Sequence, residues 1–191
     1  MVSILPLKVT SIQSPTMDDL CRGIARYLES ALDHPVEFVD LPPWQERQRL
    51  FESGRIHCAW LCGLPYTWKA DRESPEIELA AAPVMQFPRY HDRPIYYSDV
   101  VVRASAEFEK FHELAGAAWA YNEPQSHSGH NMTCYQLAIR KKDRDFFSRI
   151  VEAGSHIRAL KLLLEGKVDA TALDSTVLDM AERAACVSKS K

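Results

Sequence analysis

The chain switches repeatedly between short apolar, strand-like runs and stretches whose apolar residues recur at helical spacing. That alternation restricts the fold more than any other feature, because strands that alternate with helices build βαβ units and a mostly parallel sheet. Strand-like runs cover residues 5–12, 36–41, 56–62, 77–85, 96–103, 117–122 and 168–173. After the loop Gln13-Ser14-Pro15, Thr16-x-x-Asp19 reads as a capping-box-like start, and Leu20, Ile24, Tyr27, Leu28, Ala31 and Leu32 share one helical face. Pro42-Pro43-Trp44 opens a helix that stops at Gly54, and Gly63-Leu64-Pro65-Tyr66 turns into a short one. Residues 86–94, polar with two prolines, read as a loop. Ser105 heads a helix through Leu114, and another covers 130–141. Phe146, Phe147, Ile150 and Val151 suggest a helical face ending at Gly154; Ser155 caps the next helix, Asp174-Ser175 caps a last one, and the tail 188–191 is expected to fray.

The run at 96–103 stands near mid-chain, and the pattern restarts after it. It reads as a crossover between two α/β lobes: a first lobe of residues 1–97, toward which 176–191 return, and a second of residues 98–175. Open α/β sheets bind ligands outside the carboxyl ends of their strands, so two facing lobes are expected to form a cleft there.

With 191 residues, 46% apolar and 26% charged, the chain can bury a core and is neither disordered nor fibrous. Lys plus Arg number 23 and Asp plus Glu 26, a net charge of −3, which argues against nucleic acid as a partner. No run of about 18 uncharged apolar residues exists, so no membrane span is expected. The N-terminus MVSILPLKVTSIQSP lacks the basic region, apolar run and cleavage site of a secretory signal, which leaves either a cytoplasmic chain or one that starts at the mature domain. Cys21, Cys58, Cys62, Cys134 and Cys186 are odd in number and irregular in spacing, so they form no disulfide framework and favour a reducing compartment.

The sharpest local feature is Ser126-His127-Ser128-Gly129, between a strand and a helix. A helix N-terminus offers amides without intrahelical partners and a partial positive charge, and hydroxyls and a glycine there let a tetrahedral oxyanion approach; plain capping by Ser126 is the competing reading. Gly154-Ser155-His156 repeats the theme. Asp174 normally caps, but it can also take a proton from a protonated anion or pair with a ligand amine. Trp44, Tyr66, Tyr96 and Tyr97 fall where a cleft would be lined. His127-x-x-His130 with Cys134 lacks an obvious fourth ligand for zinc, and Cys58-x-x-x-Cys62 lies along a strand, so no metal or cofactor is expected. Nucleophile-elbow, P-loop and dinucleotide glycine motifs are absent.

The segment order resembles the phosphate/phosphite/phosphonate-binding family, the solute-binding components of ABC transporters with a type 2 periplasmic-binding-protein fold. The resemblance rests on Leu50-x-x-x-Gly54-Arg55-Ile56-x-x-Ala59-Trp60, Tyr96-Tyr97-Ser98-Asp99-Val100-Val101-Val102, Leu114-Ala115-Gly116-x-x-Trp119-Ala120, Asn122-Glu123 with Ser126-x-Ser128-Gly129, Phe146-Phe147, Gly154-Ser155-His156, and Gly166-Lys167-Val168-Asp169-Ala170 with Asp174-Ser175. It implies a periplasmic two-lobe clamp that closes on a phosphonate, phosphite or phosphate without turnover, and serves a transporter permease. By position, Ser126, His127, Ser128 and Gly129 would hold the phosphoryl oxygens. Ser155 or His156 would add a donor, Tyr96 would reach in from the crossover, and Asp174 would meet the substituent or its proton. Trp44 and Tyr66 carry over from the first lobe. His127 departs from the small hydroxyl residue common in the family, which bears on size or charge preference.

Family members also carry an export signal or lipid anchor, and they run on to complete the first lobe. The resemblance therefore implies a fragment or a shortened relative, with an incomplete first lobe and a bare sheet edge or exposed apolar patch. Two alternatives share the fold: a cytoplasmic ligand sensor, and an enzyme that uses His127, His130 and His156 as acid–base groups or metal ligands.

Overall fold

A computed structural model describes residues 5–13, 17–41 and 43–183, apart from the side chains of Trp44 and Arg144. The expected Ser14-Pro15 loop, the Thr16 cap, Pro42 and the frayed tail lie outside the described residues. Two compact units are present, Met1–Lys69 and Ala70–Lys191.

The first unit contains β1 (Leu7–Ser11), α1 (Asp18–Leu32), β2 (Val36–Phe38), α2 (Trp44–Glu52), β3 (Cys58–Trp60) and most of α3 (Gly63–Ala70). Its sheet runs β2-β1-β3 with both pairings parallel, as the βα alternation requires. The face that α1 buries differs from the sequence expectation. Leu20, Tyr27 and Leu32 are 46%, 71% and 55% exposed, whereas Asp18, Cys21 and Ala25 are buried. These three share one side of the helix, and the small side chains of Cys21 and Ala25 let α1 lie close on its sheet. Asp18 is drawn inward by Arg47, itself only 4% exposed, which donates to both Asp18 carboxylate oxygens at 2.7 and 3.0 Å. Arg47 also donates to Asp40 at 2.8 Å and to the Leu41 and Ser11 carbonyls at 2.9 and 3.3 Å. Burial pushes the nearby Cys21 thiol up to about 11, so it stays neutral.

The second unit holds β4 (Ser98–Val102), β5 (Ala118–Tyr121), α4 (Met132–Ile139), β6 (Arg149–Glu152), α5 (His156–Leu164), β7 (Ala170–Asp174) and α6 (Ser175–Arg183). The sheet order is β4-β7-β5-β6; β7, β5 and β6 are mutually parallel and β4 is antiparallel to β7. Strand periodicity sorts the core into two layers. Trp119, Ala170 and Ala172 pack with Leu114, Leu137 and Phe147 on one face. Ala120 and Leu173 pack with Leu160, Leu163, Leu178 and Ala181 on the other, which ties α5 and α6 to the sheet.

Three expected elements differ. Residues 77–85 form no strand and are mostly exposed. Three consecutive alanines give a strand little to bury, and Pro83 removes a ladder donor. The helix expected from Ser105 shrinks to a short turn, Phe111–Leu114. Its start is set instead by Glu113, whose carboxylate accepts from the Glu109 and Lys110 amides at 2.7 and 2.9 Å. The helical face expected from Phe146 to Val151 is the strand β6. Phe146 and Phe147 belong to an aromatic cluster with Phe111, where Phe147 stacks on Trp119 at 4.8 Å, so apolar residues that look helical in spacing serve a turn and a strand. Among the described residues no helix is long and apolar enough to cross a membrane.

Candidate functional site

The topology of the second sheet collects four chain segments at one edge. Parallel β5, β6 and β7 all end there, at Tyr121, Glu152 and Asp174. Antiparallel β4 begins there, with Ser98 registered against Asp174. Each of the three parallel strands leads into a helix start, so partial positive charge gathers at this edge.

The start of α4 is the most elaborate. Ser126 is extended, and residues His127–Asn131 form a wide π turn that continues into α4. The Asn131 amide donates to the Ser126 carbonyl at 3.0 Å, and the Gly129 amide donates to Ser126 Oγ at 3.1 Å. Such wide turns are frequent at functional sites. Ser126 and Ser128 are 3% and 1% exposed. Ser98 Oγ donates to the Ser128 carbonyl at 2.6 Å, which ties β4 to the turn. Gly129 is indispensable for packing as well as for approach: a Cβ there would lie 1.9 Å from Asn122 Oδ1 and 2.9 Å from His156 Cε1. Asn122, Gly129 and His156 thus meet at one point.

Buried polar groups normally find a partner. Here Asn122 Oδ1, His127 Nδ1 and His156 Nδ1 are buried without one. His127 sets its ring edge-on to Tyr96, centroids 6.1 Å apart. Burial lowers the His156 pKa below its ordinary value, while Asp174 and the Ala172 carbonyl act in the opposite sense. The imidazole is therefore neutral at pH 7, with a carboxylate close by. Ser155 Oγ accepts from the Arg158 amide at 3.2 Å, capping α5 as expected. Asp174 accepts from the Thr176 amide and hydroxyl at 2.8 and 2.7 Å, so it does cap the last helix while it faces His156.

The structure thus brings together Ser126, His127, Ser128, Gly129, His156, Asp174 and Tyr96, with Ser155 capping the helix that carries His156. It adds Asn122 and Ser98, which the sequence reading quoted among the residues of the resemblance but gave no role at the site. His130 does not join them. Its ring lies 4.7 Å from that of Tyr121, its Nδ1 is 3.1 Å from the Pro124 carbonyl, and its Nε2 is 3.6 Å from Cys134 Sγ. Tyr66 lies in α3 and is partly buried; Trp44 opens α2 with its side chain outside the described residues. Among the described residues no group of three or more His, Cys, Asp or Glu is placed to hold a metal ion. Cys58 is a free thiol.

Comparison with known proteins gives this geometry its context. The family model described as "ABC transporter, phosphonate, periplasmic substrate-binding protein" matches residues 7–191. No curated protein matches the chain. Among solved structures, PhnD1 from Prochlorococcus marinus in complex with methylphosphonate is similar at a TM-score of 0.69 and 19% identity, covering 92% of this chain and 65% of that one. A binding-protein component of a Pseudomonas aeruginosa ABC phosphonate transporter is similar at 0.72 and 15% identity, covering 94% and 60%. An ancestral amino acid-binding protein, a precursor of cyclohexadienyl dehydratase, is similar at 0.58 and 16%, covering 95% and 75%. At these identities the likeness shows the fold, that of type 2 periplasmic binding proteins, and the chain spans less than two thirds of the first two structures. The match over nearly its whole length places the chain in the phosphonate-binding family, the periplasmic substrate-binding proteins of phosphonate ABC transporters.

Proposed function

We propose that this chain binds a small phosphorus oxyanion, a phosphonate, phosphite or phosphate, at the edge of the second sheet, and delivers it without turnover to an ABC transporter permease outside the cytoplasm. One observation carries the reading: a glycine-pinched π turn opening α4 meets two imidazoles whose buried Nδ1 atoms have no protein partner. Unpartnered ring nitrogens beside a helix start suit an anion, because an imidazole that takes up a proton there donates to it. Ser126, His127 and Ser128 then surround the phosphoryl oxygens, His156 adds a donor from α5, and Tyr96 closes over His127. Asp174 repels a second full negative charge, which favours a ligand that carries a proton or a cationic substituent on that side. The methylphosphonate held by the Prochlorococcus marinus relative supports the choice of first ligand.

An enzymatic reading through His127, His130 and His156 fares worse, because His130 is turned onto Tyr121 and Cys134. Titration calorimetry with methylphosphonate, phosphite and phosphate tests the proposal. Binding of at least one is expected, with unchanged ligand recovered afterwards, and Ser128→Ala weakens it by about 1–3 kcal/mol. No heat from any of the three overturns it.

A further inference from the structure

Next to Tyr96 and Asp174 in the chain, Tyr97 and Ser175 join a buried polar cluster. Tyr90, fully buried on the 88–90 turn, has its hydroxyl 2.5 Å from Asp179 Oδ2 and 3.0 Å from Ser175 Oγ. Ser175 and Asp179 are 0% and 2% exposed on the first turns of α6. Ser175 Oγ accepts from the Tyr97 amide at 2.9 Å, and the Ser175 amide donates to the Tyr97 carbonyl at 3.0 Å. Arg89 bridges Asp99 at 2.7 Å and Asp179 at 3.4 Å, and its guanidinium lies over the Tyr90 and Tyr97 rings. Burial, with the Asp179 hydrogen bond, pushes the Tyr90 phenol up to about 12, so it remains a donor across the physiological range.

The two residues that this cluster clamps are the immediate neighbours of two proposed ligand contacts: Tyr97 follows Tyr96, and Ser175 follows Asp174. A core that needed only apolar filling would not gather a phenol, a hydroxyl and the Asp179 carboxylate, whose burial is costly unless each is paired, with the partly exposed Arg89 and Asp99 beside them. Building on the anion-binding reading above, we infer that Tyr90, Ser175 and Asp179 form a lock that positions Tyr96 and Asp174 for the ligand. They are positioning residues. The lock sets where the Asp174 carboxylate stands against His156 and how Tyr96 meets His127.

The test compares the whole chain with its Tyr90→Phe, Ser175→Ala and Asp179→Asn variants in two measurements. The first is methylphosphonate affinity by calorimetry. The second is the titration of the His156 imidazole by NMR without ligand, which loosened packing alone would move upward by lessening burial and a displaced Asp174 would move downward. Because the Asp174 field raises the His156 pKa, Tyr90→Phe is expected to lower its titration midpoint and to weaken binding roughly tenfold, within the range for residues coupled to a site they do not touch. Asp179→Asn, which keeps an acceptor for the Tyr90 hydroxyl, is expected to stay close to wild type. Should Tyr90→Phe fail to fold, Ser175→Ala removes the acceptor of the Tyr97 amide and one of the two partners of the Tyr90 hydroxyl, and is judged on the same two readings. A folded variant without the hydroxyl that binds as wild type and titrates His156 unchanged overturns the lock. Absence of binding by the wild type overturns the anion reading, while the His156 titration still decides the lock.

Discussion

In the first unit the end of β1 is closed by a cation. Arg47 donates to the Ser11 carbonyl and spends its remaining donors on Asp18, Asp40 and the Leu41 carbonyl. In the second unit the ends of β5, β6 and β7 leave Asn122 Oδ1, His127 Nδ1 and His156 Nδ1 buried and unpartnered. Both regions place polar groups beside a helix start at a strand end. One satisfies them within the protein and gains structure; the other leaves them without protein partners, as the proposed anion site requires. The contrast teaches that the presence of buried polar residues says little about function until their partners are known.

The largest expected effect tests the first half of that contrast. Arg47→Met leaves the buried Asp18 carboxylate without its cation and is expected to destabilise the first unit by about 3–5 kcal/mol, read from denaturant unfolding. A loss under about 1 kcal/mol would mean that the cluster is less dry than its burial implies. Gly129→Ala comes next. Asn122 and His156 must both retreat from the added methyl, at a cost of about 1–3 kcal/mol of stability, with anion binding lost because the turn itself moves. The smallest effect has the opposite sign. His127→Leu replaces a buried nitrogen that has no partner, so it is expected to stabilise the free protein by about 0.5–1 kcal/mol while weakening anion binding. If His127→Leu destabilises instead, the imidazole has a structural partner in solution and the two regions are more alike than described.

Much of this was legible in the residues. The strand and helix alternation led to parallel sheets, and Ser126, Ser155 and Asp174 were recognised as helix starts because capping is a local matter of a few consecutive residues. Their convergence was an inference from βαβ topology, and the register of β5, β6 and β7 supplies its physical basis. What could not be read depends on distant partners. The 77–85 run has strand-like residues but no strand to pair with, and Phe146–Val151 has helical spacing only because its two rings fill an aromatic cluster beside β5. The buried face of α1 was misjudged for a similar reason. Apolarity favours Leu20 and Tyr27, but Asp18 is pulled inward by an arginine that lies 29 positions along the chain. Asn122 was given no role at the site, and the Tyr90 cluster escaped notice, because their meaning lies in contacts with Gly129 and with α6.

The strand order of the second sheet has a consequence for how the molecule comes to exist. β7 follows β4, β5 and β6 along the chain, yet it sits between β4 and β5. As the chain leaves the ribosome, the earlier strands can emerge and collapse, but their ladder stays interrupted until residues 170–174 slide into the middle. Insertion across so long a separation in sequence is a slow, entropically demanding event. It delivers Asp174 and joins β4 to β5 in a single step, so the edge where these strand ends meet is assembled only as this sheet closes.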